Sequence, residues 1–451
     1  MSGGIFALAT APGRAAVAIM RLSGPGTREA LAALTGETEP APRRAVFHVL
    51  RRPGDGAVID QALTLWFPAP HSYTGGDCAE LQLHGGPAVI DAVTRALLDL
   101  GLRLAEPGEF TRRAFENGKL DLSQAEAVAD LVDAETEAQR SQALAQLDGE
   151  LARRHAAWRA ELIEALAVLE AAVDFPDEDL PEAVADEAAP IVERVAGELD
   201  QALADGERGE RVRDGFRIAI IGAPNAGKSS LLNALAGRPA AIVTATPGAT
   251  RDVIEIPLNV AGYRVLLADT AGLRAASDPI EAEGVRRAQD WARSAGLRLL
   301  VVDASSNSAA WREASGHARP GDLCLLNKRD LAAGVAGREA RAWAADHGLE
   351  TLDLSLVTDG AAPLKAVLER RVVAALSGAE FPAATHARHR RDLASARAHL
   401  GRALHALSAP VEVELAAEDV RLATRSLARV TGRVEAEDVL DRVFARFCIG
   451  K

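Results

Sequence analysis

Gly222-Ala-Pro-Asn-Ala-Gly227-Lys228-Ser229 matches the pattern GxxxxGK[ST]. The expected strand Phe216–Ile221 precedes it and the helical pattern from Ser230 to Ala236 follows. A strand, a glycine-rich turn and a helix in that order curl the backbone so that its N–H groups face phosphate oxygens. Lys228 supplies a cation for β- and γ-phosphates, and the Ser229 hydroxyl reaches magnesium. The competing reading is a glycine-rich turn with no ligand. The loop by itself does not separate ATP from GTP.

Working outward, the central segment alternates strand and helix. Strands are expected at Phe216–Ile221, Ile254–Leu258, Tyr263–Ala268, Leu297–Asp303, Asp322–Asn327 and Thr351–Leu354, with helical patterns between most of them. That predicts a mainly parallel sheet covered on both faces. Asp269-Thr270-Ala271-Gly272 closes one strand and resembles the DxxG element of GTPases. Asn327-Lys328-Arg329-Asp330 closes another and resembles NKxD; a carboxylate at Asp330 can accept from guanine N1–H and N2–H₂, a donor pair adenine lacks. Thr250 sits where a switch threonine closes onto magnesium, and Ser355-Leu356 half-matches the last element, normally Ser-Ala. Four elements in order point to GTP.

Leu273 stands where many GTPases place a glutamine that orients the attacking water. Leucine cannot hydrogen-bond water, so another group must act, and Glu281 is the best candidate; a helix-start carboxylate at the surface is its bland alternative. The side-chain oxygen of Asn225 can ligate a monovalent cation beside the phosphates, offsetting developing charge.

The rest of the chain supports a multi-domain α/β and α architecture. With 451 residues, two or three compact units are expected. Residues 1–118 mix strands near Val17–Met20, Ala62–Phe67 and Glu80–Leu83 with a helix over 88–100, an α+β unit. Helical periodicity dominates 119–210 and returns over 378–451, so the central segment, 211–377, reads as an insertion within a discontinuous helical domain. The absence of a long apolar run argues against a membrane span, and three scattered cysteines with no signal-like start suit a cytoplasmic protein. The net charge of −13 confines any RNA contact to local basic patches. The candidates are Arg112-Arg113, Arg153-Arg154, Arg211/Arg213 and His386 to Arg391, and for any one of them a solvated helix face is the favoured reading.

Outside the nucleotide motifs, Ala11-Pro-Gly-Arg14, Arg21-Leu-Ser-Gly24, His71-Ser-Tyr-Thr-Gly75, Leu81-Gln-Leu-His-Gly-Gly86, Pro107-Gly-Glu-Phe-Thr111, Lys119-Leu-Asp-Leu122 and Cys448-Ile-Gly-Lys451 complete a pattern spanning essentially the whole chain. With the G motifs, it resembles the MnmE (TrmE) family of tRNA modification GTPases. The resemblance implies an N-terminal tetrahydrofolate-binding domain that dimerises, a helical domain and an inserted Ras-like P-loop G domain. It implies addition of a carboxymethylaminomethyl group to carbon 5 of the tRNA wobble uridine, using a one-carbon unit from 5-formyltetrahydrofolate or a related folate. The work is shared with the flavoprotein MnmG (GidA), which carries FAD, in a heterotetramer or larger complex.

By position, the resemblance implies that GTP is contacted by Asn225, Ala226, Gly227, Lys228, Ser229 and Ser230, and by Thr244, Ala245, Thr246, Pro247, Gly248, Ala249 and Thr250. The remaining contacts come from Asp269 to Gly272, Asn327, Lys328, Asp330, Ser355 and Leu356. Magnesium falls to Ser229 and Thr250, and potassium to Asn225, Thr244, Thr246 and Ala249, mostly through main-chain oxygens. Glu281 aligns with the catalytic glutamate, and Lys228 joins it in catalysis. Arg21, Glu80, Lys119 and Lys451 would line the folate site; read without the family, each is an ordinary surface charge. Cys448 is a candidate reactive thiol, or a plain half-buried cysteine. Ala249 departs from the threonine the family usually has before Thr250, so only a main-chain contact survives there.

Two rivals remain: a ribosome-assembly GTPase, for which the chain lacks an RNA-binding module, and a folate-dependent one-carbon transferase regulated by its G domain.

Overall fold

Residues 3–174, 183–237, 255–269, 289–378, 380–408, 413–434, 437–445, 447 and 450 are described by the computed structural model. The chain divides into two compact units, 1–132 with 145–199 and 391–451, and 133–144 with 200–390.

In the first unit, β1 (Ile5–Leu8), β2 (Ala15–Ser23), β3 (Val46–Arg51), β4 (Val58–Phe67), β5 (Cys78–Gly85) and β6 (Arg103–Leu104) form one sheet in the order β3-β4-β5-β2-β1-β6. All neighbours are antiparallel except β1 and β6. The pleat sends alternate side chains to opposite faces, and in β4 Asp60, Ala62, Thr64 and Trp66 turn inward while Gln61 and Leu63 turn out. Helices Thr27–Thr35 and Pro87–Asp99 cover the inner face, closing a core of Phe6, Met20, Leu22, Leu81, Leu83 and Leu97. The second helix opens with Pro87 after Gly86, where a missing N–H costs nothing.

A buried charge cluster ties this sheet to the helix Glu109–Glu116. Glu109 accepts from Arg103 at 2.8 and 2.6 Å, from Arg113 at 2.9 Å and from the Glu106 N–H at 3.0 Å. Burial raises the Glu109 carboxyl, but these donors outweigh it and hold the group below the usual carboxylate range. A depressed carboxylate stabilises the fold above its unfolded pKa, and that contribution fades as pH falls through the folded value. Glu109→Gln is therefore expected to lower the unfolding free energy at neutral pH by about 3 kcal/mol. Denaturant titration should show the deficit shrinking on acidification; equal stability of the two proteins at neutral pH would contradict this.

The unit also holds long helices. Val413–Val430 packs along Glu150–Asp174, and Trp158 Nε1 donates to Glu198 at 2.6 Å. Phe444 and Phe447 close over Leu122 and Ala125. No described helix is long and apolar enough to cross a membrane.

In the second unit, β7 (Phe216–Gly222), β8 (Glu255–Val260), β9 (Tyr263–Asp269), β10 (Leu297–Asp303), β11 (Leu323–Asn327) and β12 (Glu350–Asp353) form a sheet in the order β12-β11-β10-β7-β9-β8. Only β8 runs antiparallel to its neighbour. The central strands β7, β10 and β11 are buried on both faces, which explains their mostly apolar runs, interrupted at Arg217 and Arg298. Ile218, Ile220, Leu299 and Leu325 pack beneath one layer of helices; Ala219, Ile221, Leu300 and Leu326 pack beneath the other. Each such Ile or Leu contributes roughly 1.5–3 kcal/mol by leaving water.

Candidate functional site

In an open parallel sheet, ligands bind beyond the carboxyl ends of the strands. There, β7 ends at Gly222, β9 at Asp269, β10 at Asp303 and β11 at Asn327, while Ser355 follows β12. Parallel register brings these ends to one edge.

The loop after β7 is a cradle that tolerates no extra atoms. Gly222 has φ 151° and Gly227 φ 102°, values that favour glycine. A Cβ on Gly222 would meet Val301 O at 2.4 Å, and one on Gly227 would meet Asn327 Nδ2 at 2.3 Å. Asn225 lies in the left-handed region at φ 60°, as does Lys328 at φ 64°, so non-glycine strain sits in both loops. The helix Lys228–Ala236 starts directly after Gly227, aiming its unpaired N–H groups and positive end at the loop. Lys228 is only 8% exposed, and its Nζ donates to Ala223 O at 2.9 Å, which arches the side chain back across the loop. Ser229 Oγ donates to Asp269 Oδ2 at 3.2 Å, joining a hydroxyl and a carboxylate at one point.

The loop after β11 is braced on three sides. Asn327 Nδ2 donates to Ala226 O at 2.9 Å, locking it to the phosphate cradle, and its Oδ1 accepts from the Leu356 N–H at 3.4 Å. Lys328 Nζ pairs with Asp303 Oδ2 at 2.7 Å. Burial raises the Asp303 carboxyl, yet Lys328 and the Ser305 hydroxyl and N–H outweigh it, leaving the group below its ordinary range. Arg329 grips Asp359 with two bonds of 2.8 Å and holds that carboxyl down; Asp359 also accepts from the Ser355 N–H at 2.8 Å. Ser355 is fully buried, its Oγ accepting from the Thr358 N–H at 3.2 Å. Asp330 is exposed and makes no hydrogen bond or ion pair with any described residue. One carboxylate is left free at the end of a rigid loop.

Asn225 and Ser230 are exposed and Ala226 is buried within the cradle. Thr244, Ala245, Thr246, Pro247, Gly248, Ala249, Thr250, Thr270, Ala271, Gly272 and Glu281 lie outside the described residues, as do Cys448 and Lys451. Sequence reading missed Asp303, Asp359 and the Ala223 carbonyl. Asp303 carried a usable signal, since it closes a buried strand at the ligand-binding edge. Among the described residues, no group of three or more His, Cys, Asp or Glu could hold a metal. A hydroxyl beside one carboxylate is the sparse donor set that suits magnesium, which keeps waters and takes phosphate oxygens.

A second cluster lies on the sheet of the first unit. Arg21 on β2 stands opposite Glu80 on β5 and donates to its Oε1 at 3.0 and 2.9 Å. The guanidinium lies 5.6 Å from the Tyr73 ring and 5.9 Å from Phe110. Tyr73 donates to or accepts from Thr111 Oγ1 at 2.9 Å, and burial pushes its phenol up although Thr111 and Arg21 oppose that. Lys119 is exposed and makes no side-chain contact with the pair.

Residues 122–448 match the family described as MnmE helical domain, and residues 4–119 match GTP-binding protein TrmE N-terminus. The tRNA modification GTPase MnmE of Phenylobacterium zucineum is 60% identical over the full length of both chains. The protein of the same description from Caulobacter vibrioides is 58% identical, again over both full lengths, and that from Parvibaculum lavamentivorans is 52% identical over 99% of each. A family match over well more than half of the chain, and full-length identity far above the level of chance, decide membership: this chain belongs to the MnmE family of tRNA modification GTPases.

Proposed function

We propose that the chain is a GTP hydrolase that serves tRNA modification, with the second unit as a P-loop G domain. The observation that carries this reading is the braced edge of the parallel sheet. A glycine cradle, a buried lysine, a hydroxyl–carboxylate pair and a free aspartate are held by bonds of 2.7–3.4 Å. Lys228 and the N–H groups of the helix start bind the β- and γ-phosphates, and Asp330 receives the guanine N–H donors. Ser229 and Thr250 hold magnesium, with Asp269 behind them. When bound, that ion neutralises the phosphate oxygens as charge builds on them. Asn225, with main-chain oxygens of Thr244, Thr246 and Ala249, holds potassium. Glu281 orients the attacking water, the task for which Leu273 is unsuited.

The reading divides the chain into an N-terminal folate-binding and dimerising domain, 1–118, a helical domain from 119–210 and 378–451, and the G domain, 211–377. Arg21, Glu80, Lys119 and Lys451 form the folate site. The Arg21–Glu80 pair supports this, because it offers a carboxylate for paired N–H donors and a guanidinium for folate oxygens beside two aromatic rings. Working as a cytoplasmic homodimer with the FAD-carrying MnmG (GidA), the chain adds a carboxymethylaminomethyl group at carbon 5 of the wobble uridine, using a folate one-carbon unit.

GTP turnover by the full chain should be faster in potassium than in sodium. Glu281→Ala should lower it about 10²-fold or more. Equal rates in the two salts would remove the potassium assignment, and undiminished turnover by the variant would remove Glu281. Nucleoside mass spectrometry of tRNA from cells lacking the protein should show loss of the wobble modification; an unaltered profile would remove the tRNA role.

A further inference from the structure

The basic patches that the sequence offers for RNA are largely spent on internal pairing. Arg112 binds Glu116 and Asp441; Arg113 binds Glu109; Arg153 pairs with Glu150; Arg211 pairs with Glu207; and Arg390 faces Glu207 and Glu210. A guanidinium already neutralised offers little to a phosphate. Two uncommitted arginines, Arg159 and Arg433, meet in a cleft of the first unit.

That cleft is lined by Asp121, His155, Arg159, Thr431 and Arg433, with small apolar side chains from the same helices as its floor. His155 and Arg159 are four residues apart on the helix Glu150–Asp174 and so share a face. Thr431 and Arg433 follow the helix Val413–Val430, which packs along it. Arg159 is half-buried, its Nε is shielded from solvent, and its side chain makes no hydrogen bond or ion pair with any described residue. The side chain of Arg433 is exposed and equally uncommitted. Leaving a shielded cationic donor without an acceptor is costly, and evolution has a cheap remedy in any nearby carboxylate. Asp121 is that neighbour, but it is used otherwise: its Oδ1 accepts from Ser123 Oγ at 2.6 Å and from the Gln124 N–H at 2.9 Å, capping the helix Leu122–Asp133.

We propose that this cleft binds a backbone phosphate of the tRNA. Two guanidinium groups present donors to a compact ligand that has only acceptor oxygens and a negative charge, while the Thr431 hydroxyl is spent on Ala428 O at 3.3 Å. The apolar floor lets such a group approach closely, and the cap bonds hold Asp121 to its own helix. The choice of RNA as the source of the phosphate rests on the tRNA role proposed above.

The test is tRNA binding to the full-length chain, read by fluorescence anisotropy across a salt series, for the parent, Arg159→Gln, Arg433→Gln and Arg159→Lys. The parent should bind with a linear salt dependence. Each glutamine variant should weaken binding roughly tenfold at fixed salt and make the slope shallower by about one. Arg159→Lys, which keeps the charge, should recover most of the affinity. GTP turnover without tRNA should be the same in all four. Arg433→Gln keeps the test sound if Arg159→Gln fails to fold, because its side chain is exposed. Unchanged affinity and slope in the glutamine variants would overturn the proposal. Thermal stabilisation of the parent by inorganic phosphate, lost in the variants while tRNA affinity is unchanged, would also overturn it and assign the cleft to a free anion. A parent chain that does not bind tRNA would instead strike at the tRNA role itself.

Discussion

A Lys228→Ala chain folds normally but turns over GTP about 10²–10³-fold more slowly than the parent, the loss seen when one preorganised electrostatic group is removed. The geometry explains both halves. In the fold, Lys228 donates from Nζ to Ala223 O at 2.9 Å, and it belongs to a short helix whose apolar residues Leu231, Leu232 and Leu235 remain in place. Loss of that bond costs about 1 kcal/mol, a small change in thermal midpoint. In the site, no other cation is built into the loop, since Ala223, Pro224, Asn225 and Ala226 are neutral. The helix start still offers its partial charge, so nucleotide binding weakens less than turnover does. Single-turnover hydrolysis beside a thermal melt separates the two effects. Turnover within threefold of the parent would show that Lys228 does not touch the phosphates.

Asp330→Asn is expected to weaken GTP binding about 10²–10³-fold, because two charge-assisted bonds of roughly 1.5–3 kcal/mol are lost or reduced. The other residues of the loop are committed: Asn327 to Ala226, Lys328 to Asp303 at 2.7 Å and Arg329 to Asp359 at 2.8 Å. The substitution therefore changes the chemistry of one atom group while the brace keeps its place. An asparagine amide offers one acceptor and one donor, which suits xanthine, whose C2 carbonyl replaces the amino group of guanine. Xanthosine triphosphate should gain on GTP by a comparable factor. Equal GTP affinity in parent and variant would move guanine selection to another group.

Much of the second unit was legible in the sequence because its central strands are buried on both faces. Leu297–Asp303 is apolar apart from Arg298 and the closing Asp303, and the strand has those limits. The short or mixed strands of the first unit were harder. Ile5–Leu8 is only four residues long, Val46–Arg51 mixes His48 and Arg51 with its apolar residues, and Arg103–Leu104 is held by pairing with β1 rather than by any local preference. All three went unread. In the site, the motif residues could be named from spacing, since a phosphate loop is a local structure. Their supports could not: Lys328 meets Asp303 across 25 positions, and Asn327 meets Ala226 across 101. The pairing of the arginines was out of reach for the same reason. Arg112 and Asp441 are 329 residues apart, so a patch that reads as basic is neutral once folded, while Arg159, isolated in the sequence, keeps its charge uncommitted.

Titration calorimetry of the parent chain with GTP and with ATP, each in magnesium and potassium, addresses the cradle and the free aspartate together. Tight association with GTP and at least 10²-fold weaker association with ATP is the result predicted from the unmet Asp330 acceptors. Comparable affinities for the two nucleotides, or preference for ATP, would contradict it.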